Sequence, residues 1–397
     1  MLRARRPHPA LRATLPLEGE GLRRGLARAG RRAYDGGMET VVDIAAIRAA
    51  MEDWYNRCAR NLPWRQRRDP YAIWISEVML QQTRVATVTG YYRRFLQRFP
   101  TAEALAAAPL SAVLKAWEGM GYYSRARNLH AAARKLAADF GGKLPADVAS
   151  LRSLPGVGPY TAAAVASIAF GLDEAVVDGN VARVLARVFL IRRNVKLPAV
   201  HRRLVELAGS LVPPGKAGMM NQALMDLGAT VCTPRGPRCD DCPLRRFCLA
   251  LAAGCQNDLP VKPPRKTTPH YDVAVGVVVK AGRVLIDLRK PEGLLGGLWE
   301  FPGGKRGAGE SLEHAVVREV REEVGIEVEP TALLAVVRHA YTHFRITMHA
   351  YECRHMSGRA RPIACDAVKW VHLSRLDDYA FPKANHKVIA ALRERRG

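Results

Sequence analysis

Leu154-Pro155-Gly156-Val157-Gly158-Pro159-Tyr160-Thr161-Ala162 is the stretch whose reading decides the fold of the larger, N-terminal part of the chain. Two glycines flank Val157 in a tight turn, and a run of small helix-forming residues, Ala162–Ala169, follows. Such a turn sets backbone N–H groups at a helix N-terminus, where phosphate is held well. It predicts a hairpin turn between two helices that can hold phosphate. An ordinary Gly-Pro helix connection would carry the same signal, so the surrounding chain has to decide.

Outward from the hairpin, residues 69–251 alternate helical patterns with breaks at Gly119–Gly121, Gly141-Gly142, Pro155–Pro159 and Pro213–Gly215. Upstream, Ile44, Ile47, Met51 and Trp54 share one helical face. The 397 residues suffice for two or three domains. A 48% hydrophobic and 25% charged composition excludes disordered, collagen-like and disulfide-stapled classes. No apolar run approaches the ~18 residues of a membrane span.

The net charge of +24 implies a polyanionic partner, nucleic acid or an anionic membrane surface. A GC-rich genome would equally give the bias of 48 Arg against 13 Lys. The charge divides as +6 in residues 1–37, +14 in 38–270 and +4 in 271–397, so the polyanion argument belongs to the helical middle. Residues 1–37 fit a basic disordered arm, an organelle transit peptide or an overextended gene start; we read Met38 as the start. With no secretory h-region, a cytoplasmic location and eight unpaired cysteines are expected.

Two further features carry chemistry. Cys232, Cys239, Cys242 and Cys248 hold half of the chain's cysteines within 17 residues, spaced x6, x2 and x5. That spacing fits paired zinc knuckles poorly and suits an iron–sulfur cubane. Arg235, Arg238, Arg245 and Arg246 make the loop basic. The second feature is a pair of acids in apolar settings. Glu77 lies among Ile75 and Val78-Met79-Leu80, where burial would raise its pKa as a general acid requires. Asp178 ends the run Ala175-Val176-Val177 and is read as a helix N-cap, a catalytic carboxylate, or both.

The hairpin, Asp178 and the four-cysteine loop together resemble the helix-hairpin-helix, Gly-Pro-Asp superfamily of DNA glycosylases. In more detail the chain resembles the adenine DNA glycosylase, or MutY, family through Leu62-Pro63-Trp64-Arg65, Ser76–Thr83, Gly119–Leu129 and Asp178-Gly179-Asn180-Val181. The resemblance implies removal of adenine mispaired with 8-oxoguanine, or guanine, from duplex DNA after the base is flipped into a pocket. It assigns Glu77 as the acid at adenine N7 and Asp178 as the group that stabilises the sugar cation. Tyr160 and Asn180 would support them, and Trp64, Arg65, Leu80 and Gln222 would line the adenine pocket. Gln82 and Tyr122 would wedge into the duplex, while Gly156 and Gly158 hold its backbone. A [4Fe-4S] cluster on the four cysteines is implied. In the sister endonuclease III branch a lysine stands at the position of Tyr160 and attacks the sugar. A phenol cannot form that imine, so hydrolysis without an efficient lyase step is expected.

After residues 254–270, read from their prolines as a stiff exposed linker, the pattern turns to strands. Val273–Val279 and Val284–Leu288 form a hairpin signal, and Ala332–Val337, Ile346–Tyr351 and Val368–Val371 follow. Among them lies Gly304-x5-Glu310-x7-Arg318-Glu319-Val320-x-Glu322-Glu323-x-Gly325-Ile326, a complete Nudix box. Glu319, Glu322 and Glu323 share a helical face and would suit Mg²⁺ or Mn²⁺. The family's C-terminal domain checks the opposite strand for 8-oxoguanine, and its box is usually degraded; here it is intact. Thr342 and His343 stand where the family's lesion-reading loop lies.

The expected architecture is therefore multidomain. An all-α helix-hairpin-helix glycosylase module with an iron–sulfur loop occupies 38–253, with a six-helix barrel over about 66–175 and the cluster part in flanking segments including 176–253. A linker, 254–270, leads to an α/β Nudix-like domain, 271–397. A monomer acting on double-stranded DNA, with no membrane partner, is expected. Two alternatives remain open: an endonuclease III-like bifunctional glycosylase/lyase, and a Nudix nucleotide hydrolase fused to a DNA-targeting module.

Overall fold

The computed structural model describes residues 31–32, 41–263 and 267–396. The expectation for residues 1–37 therefore lies outside the described residues, except that β1 (Arg31–Arg32) pairs antiparallel with β2 (Val41–Val42). No described helix is long and apolar enough to cross a membrane.

The helical part has two cores. The first gathers α2 (Pro70–Leu80), α3 (Val85–Arg98), α4 (Ala102–Ala107), α5 (Leu110–Ala116), α6 (Ser124–Asp139), α7 (Val148–Arg152) and α8 (Pro159–Phe170) around Trp74, Phe95, Leu105 and Trp117. The second packs α1 (Ile44–Cys58) against α9 (Gly179–Val188), α10 (Pro198–Leu211), α11 (Ala217–Thr230) and the short α12 (Leu249–Ala252). The predicted face of α1 explains this return of the N-terminus: Ile47, Met51 and Trp54 are buried there. The cleft between the cores receives the C-terminal end of α2 and the N-terminal ends of α8 and α9.

The predicted hairpin joins α7 to α8. Gly156 has φ +75°, and a Cβ there would meet Asn128 Cβ at 2.6 Å, so the turn requires glycine on both counts. Gly158 caps α8, and Pro159 takes its first position, where no N–H is needed.

The C-terminal unit is a mixed sheet between two helices. Strands β3 (His270–Lys280), β4 (Arg283–Leu288), β5 (Trp299–Glu300), β6 (Gly303–Lys305), β7 (Glu327–Ala340), β8 (Arg345–Ser357) and β9 (Ala367–His372) run in the order β5-β4-β3-β8-β7. In addition β6 pairs with β3 and β9 with β4; β3 and β8 are parallel and the other pairs antiparallel. Helix α13 (Leu312–Val324) covers one face and α14 (Lys383–Arg396) the other. The strands are longer than the β-branched runs that signalled them, because cross-strand pairing carries β7 and β8 past their apolar centres.

The first part of the expected linker is exposed at Gly254, Asn257 and Asp258 but anchored at one residue. Leu259 is buried, and its carbonyl accepts from Arg187 Nε at 3.0 Å. The two parts also share a core: Leu298, preceding β5, is fully buried in the first helical core, and Leu295 packs beside it. Glu118 bridges the units, accepting from Phe381 N at 2.8 Å and Lys115 Nζ at 2.6 Å.

Candidate active site and cluster loop

Glu77 sits in the last turns of α2, only 6% exposed, because α2 is buried along its length from Tyr71 to Met79. Burial, and then the charge of Asp178, push its carboxyl up to about 7; Arg65 and Tyr160 pull in the opposite direction. Tyr160, in the first turn of α8, donates to Met225 Sδ at 3.5 Å. Burial and the neighbouring carboxylates of Glu77 and Asp178 drive its phenol well above the ordinary range. Asp178 is the N-cap of α9, accepting from Val181 N at 2.7 Å and Asn180 Nδ2 at 2.8 Å. Asp178 thus caps α9, and it also borders the cleft.

The cleft brings together Glu77, Tyr160, Asp178 and Asn180 with Trp64, Arg65, Leu80, Gln82, Gly156, Gly158 and Gln222. Tyr122, Thr342 and His343 line a second cavity between the helical and sheet units. There the Tyr122 hydroxyl and Thr342 Oγ1 are 2.6 Å apart. Gln82 and Tyr122, the two expected wedges, have φ of +57° and +50°. Non-glycine residues adopt this region at a cost and hold it where surroundings impose it.

The imposing group is one that sequence reasoning missed. Arg125 on α6 is buried and stacks between Trp117 and Tyr122, 5.3 Å from each ring centre. It donates to Gln81 O at 2.6 Å and Gly121 O at 3.1 Å, the carbonyls preceding the two left-handed residues. It also donates to Met79 O at 2.8 Å and Thr83 Oγ1 at 3.0 Å. Asp226 was missed too. It is fully buried on α11 and fixes Arg65 at 2.6 and 2.8 Å and Arg60 at 2.7 Å. The available signal for Arg125 was its place on the apolar face of α6, in phase with Leu129, Ala132 and Leu136; Asp226 left none beyond its apolar neighbours.

The four thiols of Cys232, Cys239, Cys242 and Cys248 face a common space with Arg187. Burial raises the thiols of Cys239, Cys242 and Cys248, that of Cys242 to about 12. Among the described residues, the acid, histidine and cysteine ligand atoms that lie within 4.8 Å of one another do not include these sulfurs. One zinc would draw four sulfurs to about 3.8 Å, so the spread fits a larger metal–sulfur group better. The buried Arg187 donates to Cys232 Sγ at 3.2 Å and Thr233 O at 2.8 Å, and its Nη2 has no hydrogen-bond partner. An orphaned guanidinium nitrogen in a thiol-lined space fits an anionic thiolate-ligated group. Arg183, one turn earlier, donates to Cys232 O at 2.8 Å and to Asn180 Oδ1 at 3.0 Å. A hydrogen-bonded path therefore runs from the cysteine loop through α9 to Asp178. Gly228 lets α11 approach closely enough, since a Cβ there would meet Asn180 Cβ at 2.6 Å. The loop is less basic than its composition, because Arg245 pairs with Asp240 and Arg238 with Asp241.

The structure divides the glutamates of the Nudix box: among the described residues, the group of acids whose ligand atoms lie within 4.8 Å of one another includes Glu323 and not Glu319 or Glu322. Arg318 Nη1 reaches Glu319 at 2.8 Å and Glu322 at 3.1 Å, while its other nitrogens take Glu310. Glu323 turns inward and accepts from Gly303 N at 2.9 Å.

Residues 75–209 match the HhH-GPD superfamily of base excision DNA repair proteins, and residues 274–391 match the NUDIX domain. The adenine DNA glycosylase of Rattus norvegicus is 35% identical over 410 aligned positions, which cover 90% of this chain and 80% of the rat protein. The chain belongs to the adenine DNA glycosylase family. The Homo sapiens member is 38% identical, covering 78% of this chain and 67% of its own length. That of Schizosaccharomyces pombe is 31% identical, covering 79% and 82%. Family membership accounts for both units on one chain, the helical module and the Nudix sheet.

Proposed function

We propose that this chain hydrolyses the N-glycosidic bond of adenine opposite 8-oxoguanine, or guanine, in duplex DNA. The observation that carries the reading is the meeting of Glu77 and Asp178 across one cleft with Tyr160 against both. Glu77, protonated in part at neutral pH, gives its proton to adenine N7. The C1′–N9 bond then breaks, and the base leaves as neutral adenine. The Asp178 carboxylate, oriented by Asn180 and Val181 N, faces the positive charge that develops on the sugar. Water adds at C1′ and yields its proton to a carboxylate, which restores the starting state. Tyr160 offers no amine, so no imine to the sugar forms.

Cys232, Cys239, Cys242 and Cys248 would hold a [4Fe-4S] cluster, with Arg187 beside Cys232. When bound it supplies a rigid fastening for the loop; the hydrolysis needs no electron from it. The second cavity, with Thr342 and His343, supports a role in reading the opposite strand.

Single-turnover release of adenine from duplexes carrying A:8-oxoguanine, A:G and A:T tests the reading. Fast release from the first two, with little covalent product after borohydride, is expected. Equal release from A:T, or abundant trapping, would overturn it.

A further inference from the structure

The sheet unit contains a second set of buried acids. Asp287 on β4 stands directly across from Glu300 on β5 in the antiparallel register. Both side chains point to the face covered by α13, and Glu323 comes down on them from that helix. One ligand oxygen or more from each lies within 4.8 Å of the others. Like charges directly opposite one another on a sheet are destabilising unless something neutralises them.

The groups present do this incompletely. Arg289, just past the end of β4, forms an ion pair with Glu300. The amide of Gly303 serves Glu323. Asp287 is 1% exposed, and its Oδ1 has no hydrogen-bond partner. One guanidinium therefore faces three carboxylates, and a buried acceptor is left empty-handed. A buried oxygen in this condition costs free energy until a proton or a cation arrives. Hard oxygen ligands in a compact, acidic site select Mg²⁺ or Mn²⁺.

We propose that Asp287, Glu300 and Glu323 bind one hard divalent cation. This ligand set differs from the one suggested by the box motif. It keeps Glu323, leaves Glu319 and Glu322 to Arg318, and recruits two strand residues from outside the box. Arg289 stays as the charge that balances the third carboxylate. The site is independent of the glycosylase chemistry.

The test uses the full-length, cluster-containing chain, stripped with chelator and desalted. Mn²⁺ is titrated in, and free Mn²⁺ is followed by electron paramagnetic resonance, with Mg²⁺ added as competitor. One equivalent of Mn²⁺ should bind and be displaced by Mg²⁺. Asp287→Asn and Glu300→Gln should each weaken binding by at least about tenfold. Glu322→Gln should change it by less than about twofold. Absorbance near ~400 nm reports that each variant has kept its cluster loop, and either strand variant suffices if the other fails to fold. The proposal is overturned by absence of saturable binding up to millimolar Mn²⁺. Binding that survives both strand substitutions, or that is lost with Glu322→Gln, overturns it equally.

Discussion

Two sets of buried carboxylates sit in this molecule, and they are built in opposite ways. Glu77 and Asp178 come from separate helices and meet at an open cleft, with a cap, an amide and a phenol arranged around them. Asp287, Glu300 and Glu323 lie between a sheet and its covering helix, the aspartate buried and the two glutamates half-buried, with one arginine for company. Burial raises Glu77 and Glu323 alike, each to about 7. The difference lies in access. A raised carboxyl at an open cleft can hand its proton to a bound base. A raised carboxyl under a helix can only keep its proton or exchange it for an ion.

The largest effect expected on the first set comes from Glu77→Gln. Single-turnover adenine release should fall by about 10³-fold while duplex binding persists, as for loss of a general acid. A loss of less than tenfold would remove Glu77 from the role. Next comes pH. Glu77 must be protonated to act, and its pKa is raised to about 7. Release in the wild type should therefore decline roughly tenfold per pH unit above 7, about 100-fold by pH 9. A flat profile from pH 6 to 9 would separate the raised pKa from the chemistry.

A smaller effect is expected from Arg125→Gln, which removes the clamp on Gln82 and Tyr122. Affinity for mismatched duplex should fall about tenfold, and stability by about 3 kcal/mol in denaturant titrations. Unchanged affinity would show that the two left-handed residues hold themselves. The smallest effect concerns the second set. Glu323 has a raised pKa, so its contribution to stability is fully present below the ordinary glutamate range and is lost as pH rises through about 7. Without divalent metal, Asp287→Asn should stabilise the fold at pH 8 by up to about 1 kcal/mol, because burial and the facing glutamates penalise the charged form of Asp287. With saturating Mn²⁺ the wild type should be the more stable of the two. The same order under both conditions would contradict the cation site.

Much of the first site was legible in the sequence because each part is local. The hairpin glycines, the cap at Asp178 and the apolar run around Glu77 are short-range signals, and α1 announced its buried face by period. The pairings were not legible. Arg125 serves carbonyls more than 40 residues away, and Asp226 fixes arginines more than 160 positions upstream. No periodicity encodes which buried charge answers which. The box motif left the side-chain directions open for a related reason. Helical spacing put Glu319, Glu322 and Glu323 on one side of α13, but side-chain direction is decided by neighbours. Arg318 holds Glu319 against Gly304 and Glu322 at the surface, and the amide of Gly303 draws Glu323 inward.

Leu298 belongs by sequence to the sheet unit and by packing to the helical core. Cutting the chain at the linker would thus pull a plug from the barrel rather than detach a neighbour. The isolated helical fragment would carry a void beside Leu114 and melt below the intact protein. In the intact protein, whatever engages the sheet unit tugs on the same plug, which makes stability common property of the two halves.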